Sequence, residues 1–249
     1  MDKKQILTTT FIAVLLSSAL AGVQFVRLAE ANFFPIPIPQ PAFVIRSDGS
    51  VDPSTAPIQR VGEVYTFTDN IIGFTIAVER DNVVLDGGGY TLQGNGNSTG
   101  LFIKNRNGVT VRNMKIRDFH YGIRLFAEIY LSGTSASNTL SGNTVTNNDY
   151  GIYIGSSSNN MLRNNRMENN SYDFYVTGKF SNDIDDSNTV DGKPIYYWVN
   201  EHDKTVPSDA GYVALVDCAN ITVQNLNLAN NGQGILVVST TNSVITKNH

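Results

Sequence analysis

The residues best suited to chemistry crowd into one short run, Asp118-Phe119-His120-Tyr121-Gly122-Ile123-Arg124, which offers a carboxylate, an imidazole, a phenol and a guanidinium. Groups of these types can abstract and return a proton, as a polysaccharide lyase or epimerase requires. A glycoside hydrolase needs instead two carboxylates flanking the bond, one acid and one base or nucleophile, and no paired aspartate phrase supplies them. Asp118, His120 and Arg124 are therefore the catalytic candidates. The plainer reading takes them as solvated residues at a turn, and the expectation leans away from an enzyme.

A second chemistry is stacking. Phe102, Arg124, Tyr153, Tyr175 and Leu236 hold the same place in a recurring phrase, and the first four put rings and one guanidinium in a row. Aromatic planes in a row meet the apolar ring hydrogens of sugars, so these residues are expected to bind a glycan, with the only tryptophan, Trp198, as a further member. Against this, strands favour aromatics anyway, and an insertion would cover the row.

The element that must position these residues is the phrase itself. It recurs as Gly100-Leu101-Phe102-Ile103, Gly122-Ile123-Arg124-Leu125, Gly151-Ile152-Tyr153-Ile154 and Gly234-Ile235-Leu236-Val237, with a degenerate copy at Asp173-Phe174-Tyr175-Val176. Two of the spacings are 22 residues and the others are longer. A fixed period of this size means a solenoid. Each repeat holds only short runs that alternate apolar and polar, the period of a strand. Three short strands per repeat, stacked on their equivalents, predict an all-β parallel β-helix, right-handed because parallel crossovers almost always are. Leu101, Ile123, Ile152, Phe174 and Ile235 should form one inward ladder, and Ile103, Leu125, Ile154, Val176 and Val237 another.

The rest of the chain is organised around this stack. Lys3 and Lys4 precede an apolar stretch with two small-x-small patterns, so residues 1–31 read as a signal peptide or an uncleaved anchor. Residues 32–41 alternate with proline and read as an extended spacer, residues 42–81 as an entry cap, and residues 82–249 as regular coils. A short insertion is expected over 126–134 and a long one over about 179–216. The chain stops at Asn248-His249 inside a strand phrase, which predicts a fragment lacking its C-terminal coils. The net charge of −4 argues against nucleic acid as a partner, and a membrane would be met only through the N-terminal segment. The lone Cys218 excludes an intrachain disulfide and reads as a buried structural thiol. Asn97, Asn169 and Asn220 open glycosylation sequons.

Leu85-Asp86-Gly87-Gly88-Gly89-Tyr90-Thr91-Leu92, the Gly-Ile-x-Leu phrases and Gly192-Lys193-Pro194-Ile195-Tyr196-Tyr197 are similar to the NosD-like right-handed β-helix family, especially its exported archaeal members. The resemblance spans about residue 62 to the end and implies a carbohydrate-binding or sugar-hydrolase type of β-helix. The family name implies an accessory role in copper-site assembly. Soft-metal ligation needs clustered Cys, Met or His, whereas Met114 and Met167 sit at inward strand positions. Asp183-Ile184-Asp185-Asp186 is similar to a calcium loop but lacks the Gly and the closing Glu. The resulting expectation is an exported, surface-associated protein that binds a polysaccharide or cell-envelope glycan without a cofactor, with a polysaccharide lyase, epimerase or hydrolase as the alternative.

Overall fold

The structure is a computed structural model that describes residue 38, residues 41–128 and residues 133–249. The expected targeting segment and almost all of the proline-rich spacer lie outside the described residues. Among the described residues, no helix is long and apolar enough to cross a membrane.

The described chain is a parallel β-helix. Its first sheet stacks Ala42–Ile45, Thr75–Val78, Thr99–Lys104, Tyr121–Phe126, Tyr150–Gly155 and Tyr172–Thr177. The second runs from Val64–Phe67 through Val84–Asp86, Thr110–Arg112, Thr139–Ser141 and Met161–Arg163 to Asp183–Ile184. The third begins with Ile71–Ile72, Thr91–Gln93, Lys115–Arg117, Thr144–Thr146, Arg166–Glu168 and Thr189–Val190. Register follows the repeated phrase: Ile123 lies opposite Leu101 and Ile152, Leu125 opposite Ile103 and Ile154, and Ile152 and Ile154 opposite Phe174 and Val176. These residues are fully buried and belong to one continuous core.

Each coil closes by turning sharply between sheets, and the turn chemistry explains the sequence. Gly108, Asn113 and Asp118, then Ser137, Gly142 and Asn147, then Asn159, Asn164 and Asn169 all have positive φ, a conformation that Gly, Asn and Asp tolerate better than most residues. The residue after each of them points inward. In one coil these inward residues are Val109, Met114 and Phe119, all buried. In the next two coils they are Asn138, Asn143 and Asn148, then Asn160, Asn165 and Asn170, also buried.

These asparagines form three columns through the interior. Asn138 Nδ2 donates to Asn160 Oδ1 at 3.2 Å, and Asn160 Nδ2 to Asn182 Oδ1 at 2.8 Å. Asn143, Asn165 and Asn188 repeat the pattern at 2.9 and 2.8 Å. Asn148 donates to Asn170 at 2.8 Å, and Asn170 to Asp173 Oδ1 at 2.7 Å. Each Oδ1 also accepts the corner amide of the preceding coil, such as Asn143 N to Asn165 Oδ1 at 3.2 Å. Buried backbone donors that no strand partner can reach are thereby satisfied. The sequence reading assigned Asn to turns and not to these columns.

The regular coils begin earlier, and run on further, than expected. Residues 64–78 already form a regular coil, whose strands pair in parallel with the next. Ala42–Ile45 adds to this coil in parallel with Thr75–Val78, and antiparallel strands finish the edge, Val51–Asp52 against Ala42–Ile45 and Ile58–Val61 against Val64–Phe67, which removes a row of unpaired backbone groups. Within the stretch read as an insertion over 179–216, Asp183–Ile184 and Thr189–Val190 still continue the ladders.

Regular stacking changes only at Lys193–Val199, which turns antiparallel to Thr189–Val190 and then pairs in parallel with Tyr212–Val216. That strand is buried on both faces. Tyr212, Ala214 and Val216 face the main core, while Val213 and Leu215 face a second one with Val206, Cys218, Ile221, Val223 and Leu226. Ile235–Val238 therefore extends the third sheet, pairing Ile235 with Val213 and Val237 with Leu215. Ile235 and Val237 do not continue the first-sheet ladders, and Val237 is 44% exposed.

The columns make a quantitative prediction. Asn165→Ala strips two buried amide donors of Asn143 and the Leu140 carbonyl of their partners, so it should destabilise the fold by about 2–4 kcal/mol, read as a lower midpoint in urea unfolding.

Candidate functional site

The outer face of the first sheet carries the expected row, in register: Ala77, Phe102, Arg124, Tyr153 and Tyr175 are successive partners. Leu236 does not belong to it, because its strand pairs with Tyr212–Val216, and Leu236 faces Ala214 and the main core. The row is not uniform. Phe102 is only 2% exposed, packed with Val44, Ala77 and Phe126, and so is a structural base that no ligand can reach. Arg124 comes next, its guanidinium carbon 4.5 Å from the Phe126 ring centre, 4.9 Å from Tyr121 and 5.9 Å from Tyr153. Its Nε is buried without a hydrogen-bond partner. Rings solvate this cation in place of a carboxylate.

A second row runs beside the first and was missed in the sequence. Tyr121, Tyr150 and Tyr172 each stand one residue before the start of the repeated phrase and are successive strand partners. Tyr121 and Tyr150 stack at 4.8 Å and 19°, Tyr150 and Tyr172 at 4.9 Å and 26°. The spacing is that of strand neighbours, so the backbone sets the stack. Tyr153 lies edge-on to Tyr121 and to Tyr175, each at 5.6 Å. It reaches over the position a side chain would take at Gly155, where a Cβ would be 2.7 Å from the ring, and its hydroxyl meets Thr177 Oγ1 at 3.2 Å. Five phenols thus share one surface. Burial, helped by the neighbouring phenols, pushes the Tyr150 hydroxyl above its ordinary value, so at neutral pH it is a neutral donor.

The proposed proton-transfer cluster divides. Asp118 accepts from Gln93 Nε2 at 3.0 Å and from Arg117 at 3.1 Å, at a corner with φ of 63°. His120 takes a different acid: its Nδ1 lies 2.6 Å from Asp149 Oδ2. The imidazole is edge-on to Tyr121 at 4.4 Å and to Tyr150 at 5.5 Å. His120 therefore belongs to the tyrosine surface, with Asp149 where the sequence suggested Asp118. The signal was present, since Asp149 precedes Tyr150 as His120 precedes Tyr121.

Trp198 lies elsewhere. It pairs with Leu215 in the third sheet, is edge-on to Tyr196 at 6.1 Å, and has the Lys204 ammonium 5.6 Å from its ring centre. With Met161, Asp183, Tyr197 and Glu201 it lines an open groove of about 490 Å³. Asp183 and Asp185 are both spent on Arg163, at 2.6 and 3.0 Å. Among the described residues, no three His, Cys, Asp or Glu side chains gather where they could hold a metal. Met114, Met167 and Cys218 are buried in the cores. Asn97, Asn169 and Asn220 are all exposed, and the Asn220 amide donates to Asp203 at 2.9 Å.

A family model described as "Right handed beta helix region" matches residues 63–248. No curated protein and no solved structure matches the chain.

The two halves of the surface should respond differently to truncation. Phe102→Ala removes a buried ring and should cost about 3–5 kcal/mol of stability. Tyr172→Ala, at the 42% exposed end, should cost less than about 1 kcal/mol. Chemical denaturation of the two variants measures the contrast.

Proposed function

The chain belongs to the right-handed β-helix family, and from that premise we propose that this member is an exported, surface-associated protein that binds a glycan without transforming it. The observation that carries the reading is the tyrosine surface of the first sheet. Tyr121, Tyr150, Tyr153, Tyr172 and Tyr175 combine apolar ring area with hydroxyl groups, beside one guanidinium. Sugars present the same mixture of apolar C–H patches and hydroxyls, and rigid aromatics bind at small entropic cost. A linear polysaccharide suits a surface whose groups repeat at the strand spacing. The acidic net charge supports a carbohydrate partner over nucleic acid.

One observation favours a second reading, a lyase or epimerase acting on the bound polymer. The His120–Asp149 pair borders the surface, and an imidazole oriented by a carboxylate is a general base. An accessory role toward copper has no comparable support: of the three histidines, His120 and His202 are each turned to an aspartate, and among the described residues no three His, Cys, Asp or Glu side chains gather.

Binding of the chain to a glycan array, repeated with a Tyr150→Ala, Tyr153→Ala double variant, tests the reading. Affinity should fall at least about tenfold in the variant, equivalent to about 1.4 kcal/mol, with the glycan recovered intact. Shortened or unsaturated product that disappears in His120→Ala would establish the second reading. Equal binding by wild type and double variant would remove the tyrosine surface as the site.

A further inference from the structure

Tyr172–Thr177 is the last strand of the first sheet, and its free edge is covered by a strap of residues 229–233. Asp173 N donates to Asn230 O at 2.5 Å, Gly232 N to Phe174 O at 3.0 Å, and Gln233 Nε2 to Val176 O at 2.5 Å. The strap also lies on the tyrosine surface. Gly232 rests against Tyr175 so closely that a Cβ would stand 2.3 Å from the ring.

One end of the strap is anchored on two acids. The Asn230 side chain donates to Asp191 Oδ2 at 2.9 Å, while its carbonyl accepts the Asp173 amide. Asp173 is 0% exposed. Its Oδ1 accepts from Asn170 Nδ2 at 2.7 Å and from Asn170 N at 3.3 Å, but its Oδ2 is buried with no partner. An ionised carboxylate with one oxygen orphaned in the interior is costly, and protonation removes that cost.

We propose that Asp173 and Asp191 form a proton-operated latch: a proton on Asp173 keeps the strap closed, and its loss sets two carboxylates against each other at the Asn230 anchor, freeing the strap and uncovering the Tyr175 ring and the sheet edge.

The groups facing the latch are few. Asp191 comes from the coil that follows; its Oδ1 accepts Asn169 N at 3.0 Å. Every other group bonded to the two carboxyls is an uncharged amide, from Asn169, Asn170 or Asn230. Lys193, the nearest cation in sequence to Asp191, donates instead to Asn227 O at 3.3 Å. Burial raises the Asp173 carboxyl to about 6; the Asn170 hydrogen bonds oppose the rise and Asp191 adds to it. With the strap open, the carboxyl is solvated and returns toward its ordinary value of about 4. The closed state thus binds the proton more tightly. Closure is favoured in acid, and the advantage is lost as pH rises through about 6.

The latch stands on contacts within the fold; only its effect on ligand binding rests on the glycan reading. Hydrogen exchange read by NMR on the full chain, without ligand, therefore tests it separately. After correction for intrinsic exchange, protection of the Asp173 and Gly232 amides should fall about 25-fold between about pH 4.5 and about pH 7.5, while core amides such as that of Ile152 do not follow. Asp173→Asn and Asp191→Asn should each flatten the profile. Should the buried variant fail to fold, the exposed Asp191→Asn carries the comparison. Wild-type protection that does not change with pH, or an unaltered profile in the folded variant, would overturn the proposal.

Discussion

Everything in this fold depends on the chain turning three times per coil without leaving buried backbone groups unpaired. Parallel strands satisfy the flat stretches, but at each corner the amide of the inward residue points along the axis with no strand opposite. The left-handed conformation at Asn113, Asp118, Asn147, Asn164 and Asn169 makes the corner, and the side chain of the next coil supplies the acceptor, as when Asn148 N donates to Asn170 Oδ1 at 2.9 Å. The same arrangement holds the last coils with other groups: Cys218 N donates to Thr240 Oγ1, Ile221 N to Ser243 Oγ and Leu226 N to Asn248 Oδ1. Corner chemistry, more than side-chain volume, fixes the coil length and hence the register on which the outer surface depends.

Much of this was legible in the sequence because a strand has a period of two and a coil a period near 22 residues. Together these place Ile123 on Leu101 and Tyr175 on Tyr153, each 22 residues apart, without reference to any local propensity. What failed was the assumption that a phrase marks a sheet. Ile235–Val238 resembles Tyr172–Thr177 in sequence but stacks on Tyr212–Val216, because the strand Lys193–Val199 creates a second surface on which apolar side chains can be buried. A short apolar strand docks wherever a complementary face is free, and its sequence does not say which.

The surface chemistry was half legible for a related reason. Position in the phrase gave Phe102, Arg124, Tyr153 and Tyr175, but position does not report cover. Phe102 vanishes beneath Phe126 and Val44, and Tyr175 is partly overlaid by residues distant in sequence. The Tyr121, Tyr150 and Tyr172 row was missed because these residues precede the one that opens each phrase, Gly122, Gly151 and Asp173; counting the residue before the motif would have exposed them. Asp149 was missed similarly, since its link to His120 is across coils.

The asparagine columns have one further property. Every Nδ2–H···Oδ1 link in them runs the same way, from one coil to the next, so three rows of like-directed hydrogen bonds follow the axis. The two ends of such a column make unlike demands. The oxygen end needs only a donor, which any backbone amide provides, so Val109, Met114 and Phe119 can precede the columns with apolar side chains. The nitrogen end carries partial positive charge and needs an acceptor, and two of the three columns finish on an aspartate, Asp173 and Asp185. The side-chain hydrogen bonding of this interior therefore has a direction, and a coil from one end placed at the other would leave links without their partners.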